Sequence, residues 1–88
     1  MKQLQFTYDE EANGYLSEPF QLKKQATVRV YLQSQAPVVT MKQEDDGQWS
    51  NYGQTPKDCD CYEINLTSNE EVTLMLATPV PVMNCYIL

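Results

Sequence analysis

The feature that most constrains the fold of this chain is a two-residue alternation of apolar and polar side chains. It is clearest in residues 26–33, where alanine, valine, valine and leucine alternate with threonine, arginine, tyrosine and glutamine. This period is that of a β-strand with one face on a core. The pattern recurs in residues 3–8, 62–66 and 72–76, and no apolar stripe recurs at helical spacing over ten or more residues. The sequence therefore predicts an all-β protein.

Two further segments have a weaker strand pattern. Residues 15–22 include Pro19, which argues for an edge position or a bulge because proline cannot donate a main-chain hydrogen bond. Residues 38–44 resume the strand character after a break, and Val39 and Met41 are the expected inward pair.

The chain has 88 residues, which is enough for one hydrophobic core and too few for a second. Turn residues separate about seven or eight short strands, the last of them within residues 79–88. We predict a single domain over residues 1–88, built as a small antiparallel β-sandwich of jelly-roll or immunoglobulin-like type.

One hairpin turn determines where the single tryptophan lies. Asp45-Asp46-Gly47 matches a three-residue hairpin loop in which the glycine takes the left-handed conformation. Such a loop pairs Gln43 with Trp49 and puts the indole on the face of Met41, where we expect the core. A two-residue loop would instead pair Glu44 with Trp49 and place the indole on the polar face. The sequence leaves both registers open.

The composition argues against catalysis. The chain has no histidine, which is the commonest general base and the usual partner of a serine or cysteine nucleophile. No glycine-rich phosphate loop or nucleophile elbow is present. Asp45 and Asp46 are interpreted as the exposed tip of a turn rather than as a catalytic pair, because adjacent acids on a turn are usually solvated. Their spacing also does not match a calcium-binding loop. We expect no enzymatic activity and no cofactor.

Charge and cysteine content limit the partners further. The net charge is −6 and Arg29 is the only arginine, so we expect no nucleic-acid binding. No apolar run approaches the length that spans a bilayer, and the first residues do not form a secretory signal, so we expect no membrane contact. Cys59, Cys61 and Cys85 are interpreted as reduced thiols in a cytoplasmic product rather than as zinc ligands.

Four apolar or aromatic residues are candidates for contact with a partner. Tyr31 lies on the polar face of the clearest strand, where an exposed ring suits a protein interface or a sugar. Trp49 and Tyr52 follow the hairpin turn, and aromatic rings of this kind also stack on carbohydrates. Leu88 ends an apolar segment that we expect to be held in the sheet and to contact another subunit.

The segment Glu44-Asp45-Asp46-Gly47-Gln48-Trp49, flanked by strands and followed by a closing strand ending in Tyr86-Ile87-Leu88, resembles the "DG-x-W" hairpin of small β-sandwich modules. Such hairpins occur in discoidin-like sugar-binding domains and in small bacteriophage virion proteins. The resemblance covers about half of the chain. The chain is much shorter than a discoidin domain and lacks its N-terminal strands, a signal peptide and the usual disulfide, so the virion group fits better.

The resemblance implies a structural component of the virion, either a small capsid auxiliary or decoration protein or a protein associated with the fibre or tail. Its partners would be other virion proteins or further copies of itself in a homo-oligomer assembled in the cytoplasm of the bacterial host. The alternative is a carbohydrate-binding or adhesin-type module whose partner is a glycan. The residues expected at the interface or ligand site are Tyr31, Asp45, Asp46, Trp49, Tyr52 and Leu88.

Overall fold

The computed structural model describes residues Met1 to Leu88 and confirms the all-β prediction. It contains ten strands and no helix: β1 (Lys2–Gln3), β2 (Phe6–Asp9), β3 (Gly14–Ser17), β4 (Phe20–Leu22), β5 (Gln25–Ala36), β6 (Val39–Gln43), β7 (Trp49–Gln54), β8 (Cys59–Thr67), β9 (Val72–Thr78) and β10 (Val82–Ile87). No helix of the length and apolar character needed to cross a membrane occurs in the structure.

The strand number exceeds the predicted seven or eight because two predicted strands are each divided. The first is divided at Leu4 and Gln5, where the chain passes from one sheet to another. The amide of Leu4 donates to the carbonyl of Cys85 at 2.9 Å, so β1 stays on β10 while β2 pairs with β3. The second is divided at Pro19, because proline cannot continue the pairing.

The strands form two antiparallel sheets. Sheet A has the order β1-β10-β5-β8, and sheet B has the order β2-β3-β9-β6-β7 with β4 also paired to β9. The strands pair in a nested order along the sequence. The β6–β7 hairpin is innermost, and the pairs β5–β8, β3–β9 and β1–β10 join strands that lie successively further apart along the chain. The chain is thus one long antiparallel ribbon, and its successive strand pairs are divided between the two sheets.

A buried serine compensates for the break at Pro19. Strand β9 pairs with β3 at Ala77 and Thr78 and with β4 at residues 72–74, so Leu76 has no main-chain partner on that side. The hydroxyl of Ser17 accepts the Leu76 amide at 2.9 Å and donates to the carbonyl of Glu18 at 2.9 Å. The side chain therefore replaces the missing strand-to-strand bond in a place that water cannot reach.

The inner faces of both sheets contribute to one hydrophobic core. Sheet A supplies it from β5, β8 and β10, and sheet B supplies it from β4 and β9. Its buried members are Leu4, Phe20, Leu22, Val28, Val30, Leu32, Ala36, Val38, Tyr62, Leu66, Val72, Leu74, Leu76 and Cys85. Since apolar burial is the main source of folding free energy, this cluster is what holds the two sheets together.

The β6–β7 hairpin has the three-residue turn. The amide of Glu44 donates to the carbonyl of Gln48 at 2.7 Å, the amide of Gly47 donates to the carbonyl of Glu44 at 2.9 Å, and Gly47 has a φ of 88°. Gln43 lies opposite Trp49, so Trp49 shares the face of Met41. The first of the two registers is confirmed.

The expectation that Val39 and Met41 point inward is wrong. Thr40 is the buried residue of β6, and it lies opposite Leu76 of the core. Val39 and Met41 lie on the outward face, opposite Ala77 and Met75. The alternation in the sequence could not show which face of β6 points to the core, because residues on both faces of β6 lie opposite apolar residues of β9. Trp49 consequently stays outside the core.

Candidate functional site

The outward face of sheet B carries a group of apolar side chains that are not part of the core. Along β9, Leu74 and Leu76 point inward, so Met75 and Ala77 point outward. The residues beside them on neighbouring strands are also apolar. We call this group the outward patch; its members are Leu16, Val39, Met41, Trp49, Met75 and Ala77.

The cross-strand register brings these residues side by side over four strands. Ala77 lies between Leu16 of β3 and Val39 of β6, and Met75 lies opposite Met41. Trp49 is opposite Gln43, which places it diagonally next to Met41 at the edge of the sheet. The outward patch therefore runs from β3 to the edge strand β7.

Burial within the outward patch is high for a face that carries no second layer. Met75 is only 8% exposed, although it points away from the core, and the other five members are half-buried. None of the six belongs to the core cluster or packs against it. The register places them side by side on the outward face instead, as a second apolar group.

Acidic turns lie at both ends of the outward patch. The β6–β7 turn with Glu44, Asp45 and Asp46 follows the end of β6 beside Trp49, and Glu10 and Glu11 lie in the β2–β3 turn that leads into β3. All five acidic side chains are exposed. The patch is thus an apolar surface with negative charge at two sides.

Asp46 also has a structural role in the hairpin. Its Oδ1 accepts the amide of Gln48 at 2.9 Å, and the Nε2 of Gln43 donates to the carbonyl of Gly47 at 3.2 Å. These bonds hold the turn in the register that puts Trp49 outward. Asp45 makes no such bond and is exposed.

A shallow hollow lies at the Leu16 end of the outward patch. Its volume is about 180 Å³, and its apolar walls come from Leu16, Val39, Ala77 and Pro79. Gly14 lies at its rim, where a Cβ would come within 2.9 Å of the carbonyl oxygen of Thr78. The absence of a side chain there allows β3 to approach β9 closely.

Tyr31 lies far from the outward patch in the fold, on the outer face of sheet A. It is opposite Cys61 on one side and Asn84 on the other, and it is 38% exposed. Next to it along β5, the Nε of Arg29 lies 3.1 Å from a carboxylate oxygen of Glu63. Both partners are about half exposed, so this ion pair adds little stability.

Tyr52 and Leu88 belong neither to the outward patch nor to the surface around Tyr31. Tyr52 points inward, packs against the core, and donates its hydroxyl to the carbonyl of Thr67 at 2.5 Å. It therefore links the edge strands β7 and β8. Leu88 follows β10, donates its amide to the carbonyl of Thr27 at 2.9 Å, and is 51% exposed.

Of the six predicted site residues, only Asp45, Asp46 and Trp49 lie together. The outward patch also includes Leu16, Met75 and Ala77, which were not predicted as site residues. A signal for two of them is present, because Leu74-Met75-Leu76-Ala77 is apolar without alternation. An uninterrupted apolar strand indicates apolar contacts on both faces of its sheet.

A groove runs between the edge strands β7 and β8, on the flank where the two sheets are open. Its volume is about 540 Å³. Its apolar lining comes from Val38, Tyr52, Tyr62, Ile64 and Leu66. We call it the flank groove. Three residues of the core, Val38, Tyr62 and Leu66, therefore line this groove.

The structure contains no group of three or more cysteine, aspartate or glutamate side chains placed to hold a metal ion. All three cysteines are free thiols, of which Cys61 is exposed and Cys85 is completely buried. Burial raises the pKa of the Cys85 thiol from 9.0 to about 12, because the charged thiolate loses its hydration.

We expect this shift to make the protein less stable in alkali. Below pH 9 the thiol of Cys85 is protonated in both the folded and the unfolded chain, so its ionisation does not lower the free energy of unfolding. Between pH 9 and about 12 only the unfolded chain releases the proton, so the free energy of unfolding falls as the pH rises. Urea denaturation across this range measures the slope. Cys85→Ala should show a shallower slope, and equal slopes would contradict the assignment.

Comparison of the chain with models of protein families, with curated proteins and with solved structures finds no match.

Proposed function

We propose that this protein is not an enzyme and that it acts through protein–protein contacts made by the outward patch. The observation that carries the proposal is the position of Trp49, the only tryptophan, outside the core and beside Met41. Tryptophan and methionine are enriched at protein interfaces, and tryptophan is among the residues whose truncation costs most binding free energy. A core tryptophan would have had no such role.

We propose the bacteriophage virion as the setting, with the protein as a small capsid auxiliary or decoration component or as part of a fibre or tail. The resemblance of the Glu44 to Trp49 hairpin to those of virion proteins supports this setting. The rigid sheet under the outward patch supports it too, because repeated contacts in an assembly need a surface that keeps its shape. The partners would be other virion proteins or further copies of this chain.

We infer further that the two sheets form a β-sandwich of jelly-roll type. If β2 and β4 are left out, eight strands remain, and they pair first with last, second with seventh, third with sixth and fourth with fifth. This order supports a jelly roll, whereas an immunoglobulin-like sandwich divides seven strands four to three. Jelly rolls occur in viral capsids and in lectins, so the fold does not choose between these functions.

Self-association tests the proposal on the purified protein. We expect sedimentation equilibrium to detect a homo-oligomer, which should strengthen with salt because each chain carries a charge of −6. Trp49→Ala should weaken association on the order of tenfold or more and change the melting temperature little, since the indole lies outside the core. Tyr31→Ala, which removes an exposed ring from sheet A, is the matched control. Equal effects of the two variants would contradict the proposal.

A carbohydrate-binding or adhesin-type module is the second candidate. It is favoured by the amide side chain of Gln43 opposite Trp49 and by that of Asn51, which lies on the same outward face. An aromatic ring flanked by amides is a usual arrangement for stacking on a sugar and fixing its hydroxyls. Titration with glycans, followed by tryptophan fluorescence, separates the two candidates. A saturable change with one class of sugar, lost in Trp49→Ala, would favour this second function.

A further inference from the structure

A long free strand edge lies on the opposite flank of the protein from β1 and β2. Strand β8 is nine residues long, stands at the end of sheet A, and pairs with β5 alone. Its pairing with β5 is regular from Thr67 to Cys61. An unpaired edge of this length presents a row of main-chain donors and acceptors that another strand can bind.

The hydrogen bonds show which residues of β8 present these groups. The amide of Ser68 donates to the carbonyl of Lys24, just before β5, at 2.8 Å, whereas the carbonyl of Thr67 accepts the Tyr52 hydroxyl on the opposite side. Main-chain groups alternate sides at every residue of an antiparallel strand. The amides and carbonyls of Cys61, Glu63 and Asn65 therefore point away from β5.

The other sheet edges are protected, and this one is not. Strands β1, β2 and β4 have only two, four and three residues, and β7 carries an irregularity opposite Thr40 and Met41. Short length and bulges are the usual protections of an edge, together with proline and lysine. Between Cys61 and Thr67, β8 contains neither proline nor lysine, and its pairing is free of bulges.

The flank groove lies beside this edge and would receive side chains from an added strand. A strand bound to β8 continues sheet A, so every second side chain points to the inner side. Those side chains would lie in the groove of about 540 Å³, against Tyr52, Ile64 and Leu66. An added strand would thus gain main-chain bonds and apolar burial together.

Charge limits what can bind. The start of β8 and the loop before it carry Asp58, Asp60 and Glu63 against Lys57 alone, and the whole chain has a charge of −6. Glu63 forms an ion pair with Arg29. Asp58 and Asp60 are exposed and have no cationic partner in the structure. A second copy would bring like charges together, while a basic segment would complement them.

We propose that the free edge of β8 binds an extended segment of another protein in which apolar residues alternate with lysine or arginine. The apolar residues occupy the flank groove, and the basic residues face the outer side of sheet A and the acidic start of β8. This surface is separate from the outward patch and does not depend on it.

The probe is a short, fluorescein-labelled peptide of alternating lysine and valine, measured by fluorescence anisotropy. Two N-methylated versions are compared, one methylated at the lysine amides and one at the valine amides. Only one set of amides can face β8, so we expect one version to lose affinity on the order of tenfold or more while the other keeps it. Adsorption by charge alone would affect both equally and would overturn the proposal, as would no binding of the unmodified peptide.

A protein variant tests the same edge from the other side. Asn65→Pro removes one outward amide and no main-chain bond to β5, so the chain should stay folded and lose affinity for the peptide on the order of tenfold. It also removes the Oδ1 that accepts the Thr27 hydroxyl at 2.9 Å, and the control variant removes the same atom. Asn65→Thr keeps the amide and should bind normally. Unchanged binding by Asn65→Pro would overturn the proposal. If Asn65→Pro does not fold, the comparison of the two methylated peptides still tests whether the main chain of β8 binds the peptide. A dimer of the free protein that Asn65→Pro dissociates would identify a second copy as the occupant and would also overturn the proposal.

Discussion

Leu74→Ala is expected to lower the free energy of unfolding by about 3 kcal/mol, which is the typical cost of a leucine truncation in a packed core. Leu74 is completely buried in β9, between Phe20 of β4 and Lys42 of β6. Its removal leaves a cavity in the middle of sheet B that neighbouring strands cannot close without losing their pairing. Because small domains are stable by only about 5–15 kcal/mol, this loss is a large part of the total.

The control for Leu74→Ala is its neighbour. Thr73→Ala changes a half-buried residue on the outward face of the same strand, and we expect it to cost less than about 1 kcal/mol. Urea denaturation of the two variants measures the difference. If both cost the same, the assignment of inner and outer faces to β9 is wrong, and the outward patch built on that assignment is lost with it.

Tyr62→Phe is expected to cost about 2 kcal/mol, although it removes a single oxygen atom. The buried hydroxyl of Tyr62 accepts the amide of Cys59 at 2.7 Å and donates to the carbonyl of Ala36 or of Lys57, at 2.7 and 2.5 Å. The hydroxyl thus links the end of β5 to the β7–β8 loop by hydrogen bonds. Phenylalanine keeps the ring and leaves these main-chain groups without their partner.

Tyr31→Phe is the matched change for Tyr62→Phe. Tyr31 is exposed on sheet A and its hydroxyl has no hydrogen-bond partner within the protein, so we expect a change in stability below about 0.5 kcal/mol. Thermal or urea unfolding compares the two. Similar losses in both variants would mean that the hydroxyl of Tyr62 does not hold the loop.

The sequence was sufficient for the fold class because alternation is a local property. The strand of residues 26–33 and the turn at Asp45-Asp46-Gly47 could both be predicted. The register of the turn could not, because the sequence allowed either Gln43 or Glu44 to pair with Trp49, and the structure has the pairing with Gln43. The division of the first strand could not, because it depends on which sheet each half joins. The role of Ser17 could not be predicted either, since the amide that it satisfies lies on β9, far along the chain.

The candidate site was harder to predict than the fold. The three-residue form of the turn places Trp49 on the face of Met41, as the structure has it, but that face was expected to be the core because Val39 and Met41 were expected to point inward. The face of a strand becomes inner or outer only when the neighbouring strands are known. Here β9 decides it, because Leu76 of the core lies opposite Thr40 rather than opposite Met41.

The nested pairing of the strands also determines the order in which the protein can form. Strands β9 and β10, which come last along residues 1–88, occupy interior positions in sheet B and sheet A. During synthesis, a nascent chain that ends before them holds only the β2–β3 hairpin, the β6–β7 hairpin and the β5–β8 pair, and each sheet lacks the strand that joins its two parts. Contacts between distant residues make such folding slow. The protein therefore cannot fold stepwise as it leaves the ribosome and must wait until β10 has been made.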